Sequence, residues 1–393
     1  MKNLTSVVLI VLLCSCGRNK ILTTADEVIR IDLLSEADMT LSNLSEIASD
    51  IEYIPLQTLE SSLISRIEKV VITYDNIYVN NRGTDIICFD KIGNFISKLS
   101  KSGRGPGEYT FIQDFDISSD NTNLILLSNG KILVYNINGT EFLFSKSIDL
   151  YEGVLRISFI PGTDNILLSN GPWFGNETSL NLIINLDRDT LLLKPNCYKY
   201  VKLGPGSRAV NDAIQYKLGD KVCFKEGFSD TIFYVISKLD GLSPHLILDS
   251  HGTVPPPRVR GDIEYAKAHA GDFSSVAIAY EVSRYIFYYY MYKSLRHKII
   301  YDKVLNRKYE LALENALVDD LNGGPNLDLN MHNCTGKLFY ASVDALNFKK
   351  HIESDNYSNA VVKDQKNKEE LKRIADSIKE TDNPLLIIVT PKN

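Results

Sequence analysis

Short apolar runs, interrupted every few positions by Asp, Asn, Gly or Ser, fill most of the chain. Between positions 67 and 99 they read Lys69-Val70-Val71-Ile72-Thr73, Ile77-Tyr78-Val79, Asp85-Ile86-Ile87-Cys88-Phe89-Asp90 and Phe95-Ile96-Ser97-Lys98-Leu99. Tyr74-Asp75-Asn76, Asn80-Asn81-Arg82-Gly83 and Lys91-Ile92-Gly93-Asn94 separate them. β-Branched and aromatic residues suit a pleated strand, Asx side chains bond the nearby backbone, and Gly supplies positive φ. The pattern predicts four short strands joined by turns.

The same order returns further on. Phe115-Asp116-Ile117, Leu124-Ile125-Leu126-Leu127, Ile132-Leu133-Val134-Tyr135 and Glu141-Phe142-Leu143-Phe144 form a second unit, in which Ile117, Tyr135 and Gly139 stand where Ile72, Phe89 and Gly93 stand in the first. A third, blurred copy contains Asn165-Ile166-Leu167-Leu168 and Leu182-Ile183-Ile184-Asn185. Asp230-Thr231-Ile232-Phe233-Tyr234 and Tyr301-Asp302-Lys303-Val304-Leu305-Asn306 echo the third strand and following turn of the first unit. Four strands repeating every 40–50 residues or so are the signature of a β-propeller blade. Insertions between recognisable units reduce the number of blades that fit to about six. A β-sandwich array is the rival, whereas a parallel β-helix would repeat at about 20–29 residues.

One stretch keeps helical periodicity. Within Lys363–Glu380, Leu371, Ile374, Ala375 and Ile378 make one apolar stripe, and Asp382-Asn383-Pro384 ends it. The closing run Leu385-Leu386-Ile387-Ile388-Val389 is a strand. A strand at that end fits ring closure against an N-terminal strand, drawn from Val28–Leu33 or Ile51–Leu56. Closure matters because an open blade leaves an unpaired edge.

The first residues change the picture of location. One cation, Lys2, precedes the apolar stretch Val7–Leu13, which is too short to span a bilayer and suits a signal peptide. Leu13-Cys14-Ser15-Cys16 then resembles the bacterial lipobox, with Cys16 as the lipidated residue. The expected organisation is a signal peptide over 1–15, a lipid-anchored linker over 16–26 and one β-propeller domain over 27–393. The cysteines after Cys16, namely Cys88, Cys197, Cys223 and Cys334, are widely spaced without a CxxC pair; disulfides are possible in an oxidising compartment, but the spacing does not resemble a disulfide framework. Cys88 and Cys223 sit in apolar runs, where a thiol acts as a small hydrophobe. A net charge of −6 argues against a nucleic-acid partner.

The segment Phe89-Asp90-Lys91-Ile92-Gly93-Asn94-Phe95-Ile96, followed by Gly103-Arg104-Gly105-Pro106-Gly107-Glu108-Tyr109, resembles the six-bladed β-propeller lipoproteins of Bacteroides-type bacteria. Glu52–Leu56, Asp230–Tyr234 and Asp382–Leu386 add to the resemblance. It implies an all-β, six-bladed propeller of four-stranded antiparallel blades, with an amphipathic helix before the closing strand, and an envelope location. It brings no catalytic residues with it.

Candidate chemistry is sparse. Gly103–Tyr109 lacks the following helix of a phosphate loop, and Pro106 removes a donor, so it reads as an inter-blade connection in which Arg104 and Glu108 pair together or with neighbouring blades. Asp114, Asp116 and Asp120 lack calcium-loop order and read as a strand edge followed by an Asx turn. His332, Cys334 and Asp328 are too few to make a metal site. HExxH, GxSxG, P-loop and CxxC motifs are absent from the sequence. No cofactor or metal is assigned. Trp173 and Phe174, in a Gly-rich loop, either stack on a sugar or protein partner or fold back on the core. Pro255-Pro256-Pro257 in polyproline geometry would project Arg258 and Arg260 outward to solvent or an acidic ligand, with Tyr265 in a short helix beyond.

These residues suggest a monomeric binding or scaffold protein, tethered by lipid to the outer membrane on its periplasmic face and serving a glycan, peptide or protein partner. A hydrolase or lyase whose acid–base pair converges from different blades is the alternative, and packing within a larger assembly is a third. The anchor is directly testable. Cys16→Ala is expected to abolish incorporation of labelled fatty acid and to release the protein from the membrane fraction; persistent labelling would remove the anchor from the picture.

Overall fold

The middle strands are apolar on both sides because both sides are covered. Ile86-Ile87-Cys88-Phe89, Leu124-Ile125-Leu126-Leu127 and Ile132-Leu133-Val134-Tyr135 are buried at every position. A strand with one solvated face would alternate instead. In the computed structural model of the chain, which describes residues 28–150, 153–203, 212–311, 317–328 and 336–393, six sheets supply that cover for one another. The segments expected to be a signal peptide and a linker, with Cys16, lie outside the described residues, as do His332 and Cys334.

The chain begins with three strands, β1 (Ile29–Asp32), β2 (Met39–Leu41) and β3 (Ala48–Pro55), that serve blades formed much later in the sequence. Blade 1 contains β4–β7 (Ile67–Ile72, Asn76–Asn81, Asp85–Asp90, Phe95–Leu99). Blade 2 contains β8–β11 (Asp114–Ile117, Asn123–Ser128, Lys131–Asn138, Glu141–Asp149). Blade 3 contains β12–β15 (Val154–Phe159, Ile166–Asn170, Ser179–Ile184, Thr190–Pro195). Blade 4 contains β16–β19 (Ala213–Leu218, Lys221–Glu226, Thr231–Val235, Ser243–Asp249) and blade 5 β20–β23 (Ser275–Glu281, Tyr285–Tyr292, Leu295–Asp302, Arg307–Leu311). Blade 6 is β24 (Phe339–Val343), β25 (Leu385–Pro391) and β3. The result is a six-bladed β-propeller.

Each blade divides its side chains between two neighbours. Ile77, Val79, Ile87 and Phe89 pack toward blade 6 with Tyr340, Leu386 and Ile388, while Tyr78, Ile86 and Cys88 pack toward blade 2 with Phe115, Leu124 and Tyr135. Period-two alternation is therefore present but hidden, because both sets are apolar. The repeat equivalences read from sequence coincide with the blades: Ile72 and Ile117 end first strands, Phe89 and Tyr135 lie in third strands, and Gly93 and Gly139 in the turns after them.

Four strands per blade holds for blades 1–3. Blades 4 and 5 each gain a fifth, outer strand running parallel to the fourth: β1 on β19, with Ile29 beside Leu246, and β2 on β23, with Met39 beside Tyr309. Blade 6 has three. The physical reason is the route of the N-terminal segment, which travels round the rim to reach blade 6 and pairs with exposed edges on the way. Of the two candidate closing partners, the Ile51–Leu56 region is the one used, since β25 pairs antiparallel with β3 and Ile387 stands opposite Tyr53.

The expected C-terminal helix is α5 (Gln365–Ser377), the fifth helix in chain order; α1 (Arg258–Gly261) and α2 (Ile263–Ala268) follow blade 4, and α3 (Ala345–Ile352) and α4 (Asp355–Asn359) precede α5. Helices α3–α5 lie between the first and second strands of blade 6 and cover the flank of β3. Phe348 meets the Tyr53 ring at 5.7 Å, Tyr53 Oη donates to Asp319 at 2.9 Å, and Asn322 Nδ2 donates to the Ile51 carbonyl at 2.9 Å. No described helix is long and apolar enough to cross a membrane.

Leu385→Ala, at a fully buried position in the closing strand, is expected to cost about 2–5 kcal/mol in denaturant unfolding. Val361→Ala, at a residue 91% exposed, should stay within roughly 0.5 kcal/mol of the parent.

Candidate functional site

In an antiparallel four-stranded blade, the entry to the first strand, the second hairpin and the exit from the fourth strand share one end. All the long inter-blade connections therefore open on one face of the ring. Over blades 3, 4 and 5 three of these segments are tied into a single surface: the hairpin 171–178 of blade 3, the connection 196–203 out of blade 3, and the α1–α2 region out of blade 4.

The hairpin is shaped by a buried carboxylate. Glu177 accepts from the backbone N–H groups of Trp173, Phe174 and Gly175, the last at 3.0 Å, so three successive donors turn inward on one side chain. Such charge-assisted bonds to a carboxylate are the strong kind. They separate the aromatic pair. Trp173 lays its indole over Gly153 and Gly171, where an added Cβ would come within 2.9 and 2.7 Å of Nε1, respectively. Phe174 points out and is 64% exposed.

The connection crosses from this hairpin to the helices. Tyr200 donates its N–H to the Gly175 carbonyl at 3.0 Å and its hydroxyl to the Pro172 carbonyl at 2.6 Å. Leu203 donates to the Gly261 carbonyl at 2.8 Å. Gly261 must be Gly, because a Cβ there would lie 2.2 Å from the Val201 carbonyl oxygen. Pinned at both ends, the segment presents Val201 and Leu203, 75% and 69% exposed, together with exposed Lys199 and Lys202.

The Arg residues correct the expectation from sequence. Pro257 takes helical angles instead of polyproline geometry, and Arg258 and Arg260 ride on α1. Arg260 turns inward to pair with buried Asp212 and lies 5.8 Å from the Phe228 ring centre. Arg258 stays largely in solvent, pairs with Asp262 at 2.7 Å and lies 4.3 Å from the centre of the Tyr265 ring. His269 contacts that ring at 4.4 Å. Asp262 caps α2 by accepting from Tyr265 N–H. Trp173, Phe174, Arg258, Arg260 and Tyr265 thus belong to one face, with only Phe174 and Arg258 presented outward.

Beneath this face the seam between blades 3 and 4 turns polar. Gln215 Nε2 donates to Ser169 Oγ at 2.7 Å, Ser169 to Asn181 at 2.6 Å, Asn181 Nδ2 to Glu226 at 2.9 Å, and Lys194 pairs with the same Glu226 at 2.6 Å. On the other side of β17, buried Lys225 has the Glu226 carbonyl at 3.2 Å. Burial drives its ammonium down to about 8, against the opposing pull of Asp230, Glu226 and Asp212.

The other charged groups singled out by the sequence are engaged within the protein, several of them between blades. Lys69 pairs with Asp114 and Lys217 with Asp116, and the two carboxylates also accept from Ile157 and Phe159 N–H of blade 3 at 2.9 and 2.7 Å. Asp120 accepts from Ser118 and Thr122 in a turn, as an Asx turn should. Asp328 pairs with Lys298. In the Gly103–Tyr109 connection between blades 1 and 2, Glu108 bonds Gly105 N–H at 2.8 Å, so the expected Arg104 pairing is absent among the described residues. Between blades 4 and 5, fully buried Glu281 takes His245 Nε2 at 2.7 Å, Lys303 and Tyr216 Oη. Burial pushes Glu281 up, but these partners outweigh it and hold the carboxyl below its usual range.

Glu177, Tyr200, Lys199, Lys202, Val201, Leu203 and Ile263 carry no motif that marks them in the sequence as residues of this face. One signal was available: positions 195–211 carry Lys199, Lys202 and Arg208 with no acidic residue, in a chain of net charge −6. The juxtaposition itself joins positions far apart in the chain.

Fold and face together define a six-bladed propeller with an elaborated loop face on one arc. The chain belongs to the family described as a domain of unknown function, DUF4934, whose model matches residues 28–390. A crystal structure from Bacteroides fragilis, of a chain described as an exported protein, is similar at 19% identity with a TM-score of 0.63, over 93% of this chain and 100% of that one. A member of the DUF4221 family from Bacteroides vulgatus matches at 10% identity and a TM-score of 0.49, over 88% and 97% of the two chains. No curated protein matches the sequence.

Lys225 gives a pH prediction. Its folded pKa, about 8, lies below the unfolded value, so between these pH values the unfolded chain binds more protons and stability rises with pH. Unfolding at stepped pH is expected to show a rise on the order of 2–3 kcal/mol from pH ~8 to ~10.5 attributable to this group. Lys225→Met should remove it.

Proposed function

We propose that the protein is a lipid-anchored binding platform of the cell envelope, held through Cys16 in the outer membrane, with the loop face over blades 3–5 taking a glycan, peptide or protein partner. One observation carries this reading. Connections from separate blades are cross-bonded backbone to backbone, and the surface they build leaves Phe174, Val201, Leu203 and Ile263 exposed. Apolar side chains gathered on a pinned surface mark interaction sites. A rigid face also lowers the ordering cost of binding. The exported Bacteroides fragilis protein of the same fold supports an envelope setting.

The alternative reading, a hydrolase or lyase, would draw on Glu281 and His245, the acid–base pair that converges from blades 4 and 5. Glu281 is completely buried and its oxygens are engaged by Lys303, His245 and Tyr216, an arrangement suited to joining blades. The binding reading is preferred for that reason.

The test is capture from envelope extract and on a glycan array by the full chain. Phe174→Ala combined with Arg258→Ala is expected to reduce saturable capture at least about tenfold, the loss typical of truncating central contacts. Tyr74→Ala, in an exposed turn at the other end of blade 1, should leave it unchanged. Capture that survives the double change would move the binding surface off this face.

A further inference from the structure

We infer that the partner of the loop face is an acidic protein segment carrying apolar side chains. The inference rests on the binding role of that face and names its ligand class.

The exposed apolar groups are mainly aliphatic. Val201, Leu203 and Ile263 accompany a single exposed ring, Phe174. The other aromatics are engaged within the protein: Trp173 on Gly153 and Gly171, Tyr265 against Arg258 and His269, and Tyr200 through its hydroxyl to Pro172. A saccharide would need open ring faces and convergent planar polar groups, and Phe174 alone supplies a ring. Branched aliphatic side chains instead complement Leu-, Val- or Phe-type side chains of a polypeptide.

Charge points to the acidic character. Lys199 and Lys202 are exposed and carry no ion pair among the described residues, and no Asp or Glu occurs from Pro195 to Leu203. Nearby charges are matched locally: Arg260 by Asp212, Arg258 by Asp262, and Lys267 by Glu264. The two lysines remain as surplus positive charge beside the aliphatic groups, in a protein that is acidic as a whole. A carboxylate-bearing segment meets both demands and would be steered to this arc.

The start of β1 lies at the end of blade 4 away from the loop face. Strand β19 ends at the loop face, and β1 runs parallel to it with Asp32 beside Asp249.

The test is fluorescence polarisation with the full chain in detergent and a short labelled peptide of repeating Glu-Leu-Asp-Phe. Three comparison probes are a Lys-Leu-Lys-Phe repeat, an oligomer of galacturonic acid, and vesicles of phosphatidylglycerol. Saturable binding of the acidic peptide alone is expected, weakening with added salt. It should fall roughly tenfold for Lys199→Glu with Lys202→Glu, and the same variant should gain affinity for the basic peptide. Both positions are exposed, and unchanged circular dichroism establishes that the variant is folded. Preference for the oligouronate or the vesicles, equal binding of both peptides, or no binding by any probe would overturn the inference. If capture from extract still depends on Phe174 and Arg258 in that case, the platform role stands and only the ligand class falls; if it does not, both fall.

Discussion

The structure depends on a single constraint: every blade is apolar on both sides, so no blade is satisfied until it has two neighbours. Phe89 and Tyr78 lie in adjacent strands of one sheet, yet they pack into different inter-blade cores. Such an arrangement has no natural end except a ring. Closure falls to β3 and β25, which bring opposite ends of the chain into one sheet and pair Ile387 with Tyr53. The N-terminal segment that makes this possible must circle the rim, and it does so by adding β1 and β2 to the outer edges of blades 4 and 5. Charged side chains fasten it there, with Arg30 on Asp249, and Lys308 donating to the carbonyls of Asp32 and Ser35.

Polar groups inside the ring are used as joints. Asp114 and Asp116 each combine a lysine from one blade with a backbone N–H from another, which satisfies a buried carboxylate and sets the spacing of first strands about the axis. Glu281 does the same for blades 4 and 5. The seam between blades 3 and 4 goes further, turning from Leu167, Ile183 and Phe224 at one end to Ser169, Asn181, Glu226 and Lys194 under the loop face. Hydrogen-bonded seams of this kind fix register more sharply than apolar contact does, because a shifted partner leaves a buried polar group unpaired. The elaborated loops thus stand on a seam whose buried polar groups are bonded across blades.

That support explains why irregular connections present a defined surface. Glu177 gathers three backbone donors, Tyr200 links hairpin to connection, and Gly261 allows connection and helix to touch. The outward groups are few because most of the polar and aromatic capacity is consumed in holding the loops. Trp173 is the clearest case: the residue most suggestive of a ligand contact is laid over two glycines, and its neighbour Phe174 faces outward instead.

Blades 1 and 2, and blade 3 in outline, were legible along the chain before any packing was known, whereas the boundaries of blade 4 and the start of blade 5 were not. Apolar runs of blade length, Asx and Gly turns, and the equivalence of Ile72 with Ile117 and of Phe89 with Tyr135 are local properties, written in side-chain type and spacing, and they survive translation into strands unchanged. The amphipathic stripe of α5 and the final strand were legible for the same reason. Short helices α3 and α4 were not, since one or two turns leave too little periodicity to read. Who meets whom was settled by the folded ring: that Ile51–Leu56 and not Val28–Leu33 closes it, that Arg260 pairs inward while Arg258 stays outside, and that Phe174, Lys199, Leu203 and Ile263 share a face. Those outcomes depend on edges and burial created by other blades, and no residue carries in its own neighbourhood the position of a partner tens to hundreds of residues away.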